Sequence, residues 1–399
     1  MMFERLLQNS KKDDVIAILD IGSGSVGGAL VSYPINKKPE ILYSVRVPIS
    51  FSDKFNFERF LKSTLVVTEK VLQILNSASV ETNKPKQTFY ILAAPWCVSQ
   101  SQTVVFEDPN IFLTTRKKVD QIIAGEIKNL KIKTNALYEN FTSANMEIIE
   151  IKNIKTKLNG YETDALYDKK ISKLEVDLYM SMSACEIIES FRQVTKKIFG
   201  TNQIFFNSFS LAAFTTMRDL YSEKQNFVFV DVGGEATEIF ITHNGILTDI
   251  FSFSFGKNFL LRTMASEMRI AKEEALSLFG LFMEGNLTTV KKHKVQKALE
   301  YVATMWSEAF CKEIQSRTGC KILPHLFFVA TDTPFAQWFA TVLENKKPKD
   351  ILFTKQLIEV TLINSLILSR FVMVDIKTQS DTFLIIEALF VDRLIKSEI

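Results

Sequence analysis

Two short stretches of the chain carry the residue types that can hold a phosphate. The first is Asp20-Ile21-Gly22-Ser23-Gly24-Ser25-Val26-Gly27-Gly28, and the second is Asp231-Val232-Gly233-Gly234-Glu235-Ala236-Thr237. With only 14 glycines in 399 residues, each such cluster is informative. A Gly/Ser turn presents backbone N–H groups, and its small residues let an anion approach closely. The candidate phosphate-binding residues are Gly22, Ser23, Gly24, Ser25, Gly233, Gly234, Thr237 and Gly256. Asp20 and Asp231, each ahead of a turn, are candidate Mg²⁺ ligands acting through water. Each turn alone can equally be a tight hairpin with Ser and Asp capping its backbone. As a matched pair, one per half of the chain, the two can clamp a nucleotide polyphosphate. Neither stretch is a GxxxxGK[ST] loop.

Similar elements flank the two turns. Val15–Ile21 is a nearly unbroken apolar run, as a strand buried on both faces requires, and Ala29–Tyr33 is a second. In Ile41–Ile49, alternation places Ile41, Tyr43, Val45, Val47 and Ile49 on one face. The second half repeats the pattern with Phe227–Val232, Glu238–Thr242 and Ile246–Phe253, the last two joined by a His243-Asn244-Gly245 turn. Helical spacing marks Phe57–Leu75 after an Asn56 cap, then Arg116–Leu130, Ile187–Ile198, Lys257–Met268, Lys272–Phe282 and Val290–Ser316. These units predict an α/β fold of two similar lobes.

The segment between them differs. Phe89–Phe106 is rich in strand formers, Arg116–Leu130 is helical, and Ile148–Leu158 and Lys173–Ser181 read as strands around an Asn159-Gly160 turn. This is a small strand–helix–strand–strand α+β module. The expected division is 1–85 for the first part of lobe one and 86–180 for the insertion. Residues 181–225 return to lobe one, 226–365 form lobe two, and 366–399 close lobe one. Phe383–Leu394 serves as the closing core helix.

Composition narrows the class. Hydrophobic residues make up 47% and charged residues 23%, which fits a packed globular chain rather than a disordered one. A net charge of +3 from 48 basic and 45 acidic residues is no footprint of a dedicated nucleic-acid binder. The charged start lacks a signal-peptide core, and no apolar run reaches about 18 residues. Four cysteines without a CxxC pair and three histidines favour a reduced, cytoplasmic protein without structural metal. Met1, Met2, Phe3, Leu6 and Leu7 form a short apolar start that can fray or touch a membrane surface. Arg116, Lys117, Lys118 and Lys128 make a basic helix face, either solvated or a docking surface.

Ile18-Leu19-Asp20-Ile21-Gly22-Ser23-Gly24-Ser25 and Val230-Asp231-Val232-Gly233-Gly234-Glu235-Ala236-Thr237-Glu238 resemble the two phosphate segments of the actin-like ATPase superfamily. The inserted module, with Leu158-Asn159-Gly160-Tyr161 and Lys173-Leu174-Glu175-Val176, resembles the branch that holds the division protein FtsA and the pilus protein PilM. The likeness runs from about residue 13 to 395. It implies a two-lobed actin-like fold, a duplicated ribonuclease-H-like unit, with ATP and Mg²⁺ between the lobes. It also implies protein partners at the insertion, self-assembly, and a cytoplasmic site at or near the inner face of the cell membrane.

Departures from the family pattern matter. Glu235 stands where a third Gly is usual, and a carboxylate there repels a polyphosphate unless it turns away. Phe209 stands where relatives of the division type often have Glu, which puts hydrolysis in doubt. Phe328-Val329-Ala330-Thr331-Asp332-Thr333-Pro334 lacks the adenosine Gly-Gly turn. The resemblance therefore implies a nucleotide-responsive adaptor of a division machine, at most a slow ATPase. The alternatives are a pilus-assembly protein, a degenerate scaffold that binds no nucleotide, and an actin-fold small-molecule kinase or phosphatase.

Overall fold

A computed structural model describes residues 15–50, 56–138, 145–201, 203–318, 322–345, 356–375 and 378–397. The apolar N-terminal residues Met1–Leu7 lie outside them.

Lobe one is built on a sheet of order β15-β3-β2-β1-β4-β9. Its strands are β1 (Val15–Ile21), β2 (Ser25–Ser32), β3 (Glu40–Pro48), β4 (Gln87–Leu92), β9 (Ile204–Ser208) and β15 (Met373–Val374). The first three are antiparallel neighbours, and β4 and β9 continue the sheet in parallel to β1. Lobe two repeats this as β12-β11-β10-β13-β14. There β10 (Phe227–Val232), β11 (Thr237–His243) and β12 (Ile246–Phe253) are antiparallel, while β13 (Leu326–Ala330) and β14 (Glu359–Leu362) are parallel additions. Asn244 and Gly245 both have positive φ, as the expected Asn-Gly hairpin requires.

Helices cover both faces. α1 (Phe57–Thr82), capped by Asn56 Oδ1 accepting from the Arg59 N–H, and α3 (Cys185–Phe199) pack on one face of the first sheet. On its other face lie α4 (Phe209–Leu220) and α9 (Thr382–Ser397), the C-terminal helix. On lobe two, α5 (Lys257–Met268), α6 (Lys272–Met283), α7 (Thr289–Thr318) and α8 (Phe335–Glu344) share one core with the second sheet. α4 is the hub. Every residue from Phe209 to Met217 is buried, and these side chains join Ile18 and Phe89 of lobe one to Phe229 and Phe328 of lobe two in one apolar cluster. The lobes thus share a core, rich in the aromatic area that 33 phenylalanines supply.

The insertion is a separate sheet of order β5-β8-β6-β7, with β5 (Val98–Leu113), β6 (Met146–Leu158), β7 (Tyr161–Glu162) and β8 (Lys170–Ala184), covered by α2 (Arg116–Tyr138). Two expectations shift. The expected boundary at 86 falls before β4, but β4 is hydrogen-bonded to β1 in the first sheet, so the inserted sheet begins at Val98. An apolar run buried on both faces looks the same in either sheet. In β3, the register shift opposite Leu30 and Val31 adds a residue to the strand. This bulge sends Ile41 into the inter-lobe core, while Tyr43, Val45, Val47 and Ile49 pack on the α1 side.

Candidate functional site

The two Gly-rich turns meet face to face at the junction of the lobes. Asp20, Gly22, Ser23, Gly24, Ser25, Asp231, Gly233 and Gly234 line one cavity with Arg46, Phe209, Lys257 and Asp332. The expected clustering of the two hairpins is present. The cavity itself measures about 30 Å³. That is room for about two or three water molecules, too little to seat a nucleotide unless the lobes move apart.

Direct contact between the turns is what closes it. A Cβ placed on Gly234 would lie 2.5 Å from the Gly24 Cα and 2.5 Å from the Ser23 carbonyl oxygen. Only two glycines allow backbones this near. The Glu235 N–H, at the third-Gly position, donates to Ser23 Oγ at 3.0 Å. A hydroxyl from the opposite lobe thus takes a backbone donor that an anion would use. Other turn donors are also engaged. The Gly22 N–H donates to the Ser25 carbonyl at 3.2 Å, and the Gly233 N–H to that of Ala236 at 2.9 Å. At the start of α5, the Lys257 and Asn258 N–H groups donate to Gly233 and Gly234 carbonyls at 2.9 and 2.8 Å.

Two residues of the expected set do not line the cavity. Thr237 is fully buried, and its hydroxyl donates to the Phe255 carbonyl at 2.5 Å and accepts from the Trp306 indole at 3.2 Å. Gly256 is packed against the second turn, where a Cβ would sit 2.4 Å from the Gly234 oxygen. Glu235 does turn away. Its carboxylate accepts two bonds from Arg262, at 3.0 and 2.6 Å, and one from Asn258 at 2.8 Å.

Cations of the chain itself occupy the site. Arg46 donates to Asp20 at 2.6 Å, to Asp381 at 2.5 and 2.9 Å, and to Ser25 Oγ at 3.0 Å. Gly27 faces it on β2, where a Cβ would lie 2.7 Å from the guanidinium. Lys257 pairs with Asp332. Burial raises the Asp20 carboxyl pKa, and Arg46 offsets part of that. Burial also opposes ionisation of Asp381, but Arg46 and the Phe383 and Leu384 N–H groups outweigh it and hold its pKa below the usual range. Asp231 is raised well above it by burial and by the nearby Glu238 and Asp20 charges. Its cross-strand partner Glu238 is pushed up to about 8 by burial. Burial, with Arg46 nearby, brings Lys257 down to about 8.

These residues do not fit a magnesium nucleotide in this arrangement. The space admits only a few waters, Asp20 is committed to Arg46, and burial beside Glu238 and Asp20 raises the Asp231 carboxyl pKa. Among the described residues, the buried Asp231 Oδ1 atom has no hydrogen-bond partner. Phe209 lines the cavity with an apolar ring, packed 5.5 Å from the Phe383 ring. Arg46, Lys257, Asp332 and Asp381 were not among the sequence candidates.

No family model matches the chain, and no curated protein sequence matches it. Among solved structures, it is similar to a PilM-PilN type IV pilus biogenesis complex, with TM-score 0.59 and 10% identity over 95% of this chain and 98% of that one. More loosely, it is similar to the ethanolamine utilization protein EutJ from Carboxydothermus hydrogenoformans, with TM-score 0.43 and 13% identity over 96% and 91% of the two chains. A Bacteroides thetaiotaomicron protein with an actin-like ATPase fold and unknown function gives TM-score 0.39 and 10% identity over 95% and 96%. The duplicated sheets, the paired hairpins and the full-length match to PilM give one conclusion: the chain has the two-lobed actin-like ATPase fold.

Proposed function

We propose that the chain is a PilM-like scaffold of a type IV pilus machine, with its lobes held together by the chain's own contacts instead of by nucleotide. One observation carries this reading: Gly24 and Gly234 touch where a polyphosphate would have to pass, and Glu235 donates to Ser23 across the junction. The actin-like frame then works as a rigid platform. The insertion is fixed to it by buried hydrogen bonds from Asn207 and Ser208 to Glu150, and it offers a protein partner exposed Val105 and Ile111 on one edge strand and Tyr161 on the other. The pilus assignment is supported by the full-length likeness to PilM, whose solved structure is a complex with PilN. Peripheral placement at the inner membrane face follows from the same reading. No described helix is long and apolar enough to cross a membrane.

A photo-crosslinking residue at Ile111 or Tyr161, used in the native cell with mass spectrometry of the adduct, tests the partner. A pilus-assembly component as the adduct supports the proposal. A division component overturns the pilus half and favours the division adaptor.

A further inference from the structure

We infer that the tip of the α6–α7 hairpin is a docking surface for an anionic lipid bilayer. From Gly285 to Leu299 the chain carries Lys291, Lys292, Lys294 and Lys297 and no Asp, Glu or Arg. Four positive charges in 15 residues exceed the net +3 of the whole chain. All four side chains are exposed, and none makes an ion pair or hydrogen bond with a described residue. Folding does not account for them. Three lie in the first two turns of α7, at the positive end of the helix dipole, where cations are unfavourable. The acidic residues Glu273 and Glu274 begin α6, about 14 Å along that helix from its end at the tip. The exposed acids Glu284 and Glu300 bound the segment on either side.

Apolar side chains stand beside the lysines. Val290 is 70% exposed, and Leu281, at the end of α6, is 40% exposed. Val290, Lys294, Lys297 and half-exposed Tyr301 follow one another along the outer face of α7 by steps of three and four. Aliphatic residues flanked by lysines suit a bilayer, with the apolar groups at the acyl boundary and the ammonium groups among the headgroups. A nucleic acid would instead be served by Arg forks and stacking aromatics, and the cluster has no arginine. The surface is independent of the cleft and stands whether or not a nucleotide binds there.

The test is co-sedimentation of the full chain with vesicles of phosphatidylglycerol and phosphatidylcholine, against vesicles of phosphatidylcholine alone. The expected result is binding to the anionic vesicles only, weakened at about 1 M salt. K291E/K292E/K294E should lower it by about tenfold or more. Val290→Asp, with the lysines intact, should lower it several-fold. These positions are exposed, so neither variant should melt below the wild type, and the triple variant should gain slightly from the helix dipole. Absence of binding, equal binding to neutral vesicles, or full binding by the triple variant would overturn the inference. So would lysine-dependent binding of duplex DNA without vesicle binding. An unaffected Val290→Asp variant would contradict docking through the hairpin tip.

Discussion

Arg46 holds Asp20 and Asp381 together, standing 2.6 Å from the first and 2.5 Å from the second. The two acids are 361 positions apart in the chain, one ending β1 and one opening α9. A guanidinium is suited to this because it stays charged and offers several donors in one plane. Arg46→Ala would leave the buried Asp20 carboxylate and the part-buried Asp381 carboxylate without their shared cation. The expected loss is about 3 kcal/mol of stability in urea unfolding near neutral pH. Arg46→Lys should recover only part of it, because a single ammonium cannot reach both acids and Ser25. An unchanged midpoint for Arg46→Ala would remove Arg46 from this role.

Gly234→Ala tests the contact between the lobes. The added Cβ would meet the backbone of Gly24 and Ser23, which cannot rotate away as a flexible side chain can. Overpacking of this kind costs about 1–3 kcal/mol. The variant should also open the junction, seen as faster proteolysis or a larger scattering radius. Gly125→Ala is the control: it lies within α2 with nothing near its Cβ, so it should gain up to about 1 kcal/mol from helix propensity. Equal behaviour of the two variants would mean that the hairpins do not bear on each other.

The hairpins themselves were legible in the sequence, because a strand ending in Asp-x-Gly leaves few backbone options and the pattern occurs twice. Arg46 was not. In the alternation of β3 it reads as the solvent side between Val45 and Val47. That side faces α9, and only the return of the C-terminal helix to lobe one reveals this. Lys257 read as an ordinary helix start, since nothing local marks Asp332 as its partner. Thr237 and Gly256 were placed by proximity in sequence, but the pleat of β11 and the entry of α5 send them into backbone packing.

Stability should depend on pH through Glu238. Burial raises its carboxyl from 4.5 to about 8, so between these values the folded chain keeps a proton that the unfolded chain has released. Stability from this group is present below the lower value and falls as pH rises through the window, by about 1.4 kcal/mol per unit. Glu238→Gln removes that dependence. Its stability relative to wild type should climb steadily between about pH 5 and pH 8. Parallel curves for the two proteins would contradict the assignment.

Glu150 anchors the insertion. Its buried carboxylate accepts from the Ser181 hydroxyl, the Asn207 amide and the Ser208 N–H, all at 2.8 Å, and from the Ser208 hydroxyl. Tyr179 extends the network by hydrogen bonding with Ser99 at 2.8 Å and Ser210 at 3.1 Å. Glu150→Ala strands several donors at once and should cost about 3 kcal/mol. Hydrogen exchange should quicken along β6 and β9 while the β1–β2 hairpin stays protected. Uniform loss of protection would mean that Glu150 supports the whole fold and not this joint.

The central claim is that the chain's own groups close the cleft, and calorimetry of Mg·ATP binding tests it most directly. The account predicts no saturable heat at nucleotide concentrations up to about 1 mM, equivalent to binding weaker than about 4 kcal/mol. Saturable binding by the wild type, weakened in both Asp20→Ala and Asp231→Ala, would contradict it and restore a nucleotide clamp between the lobes.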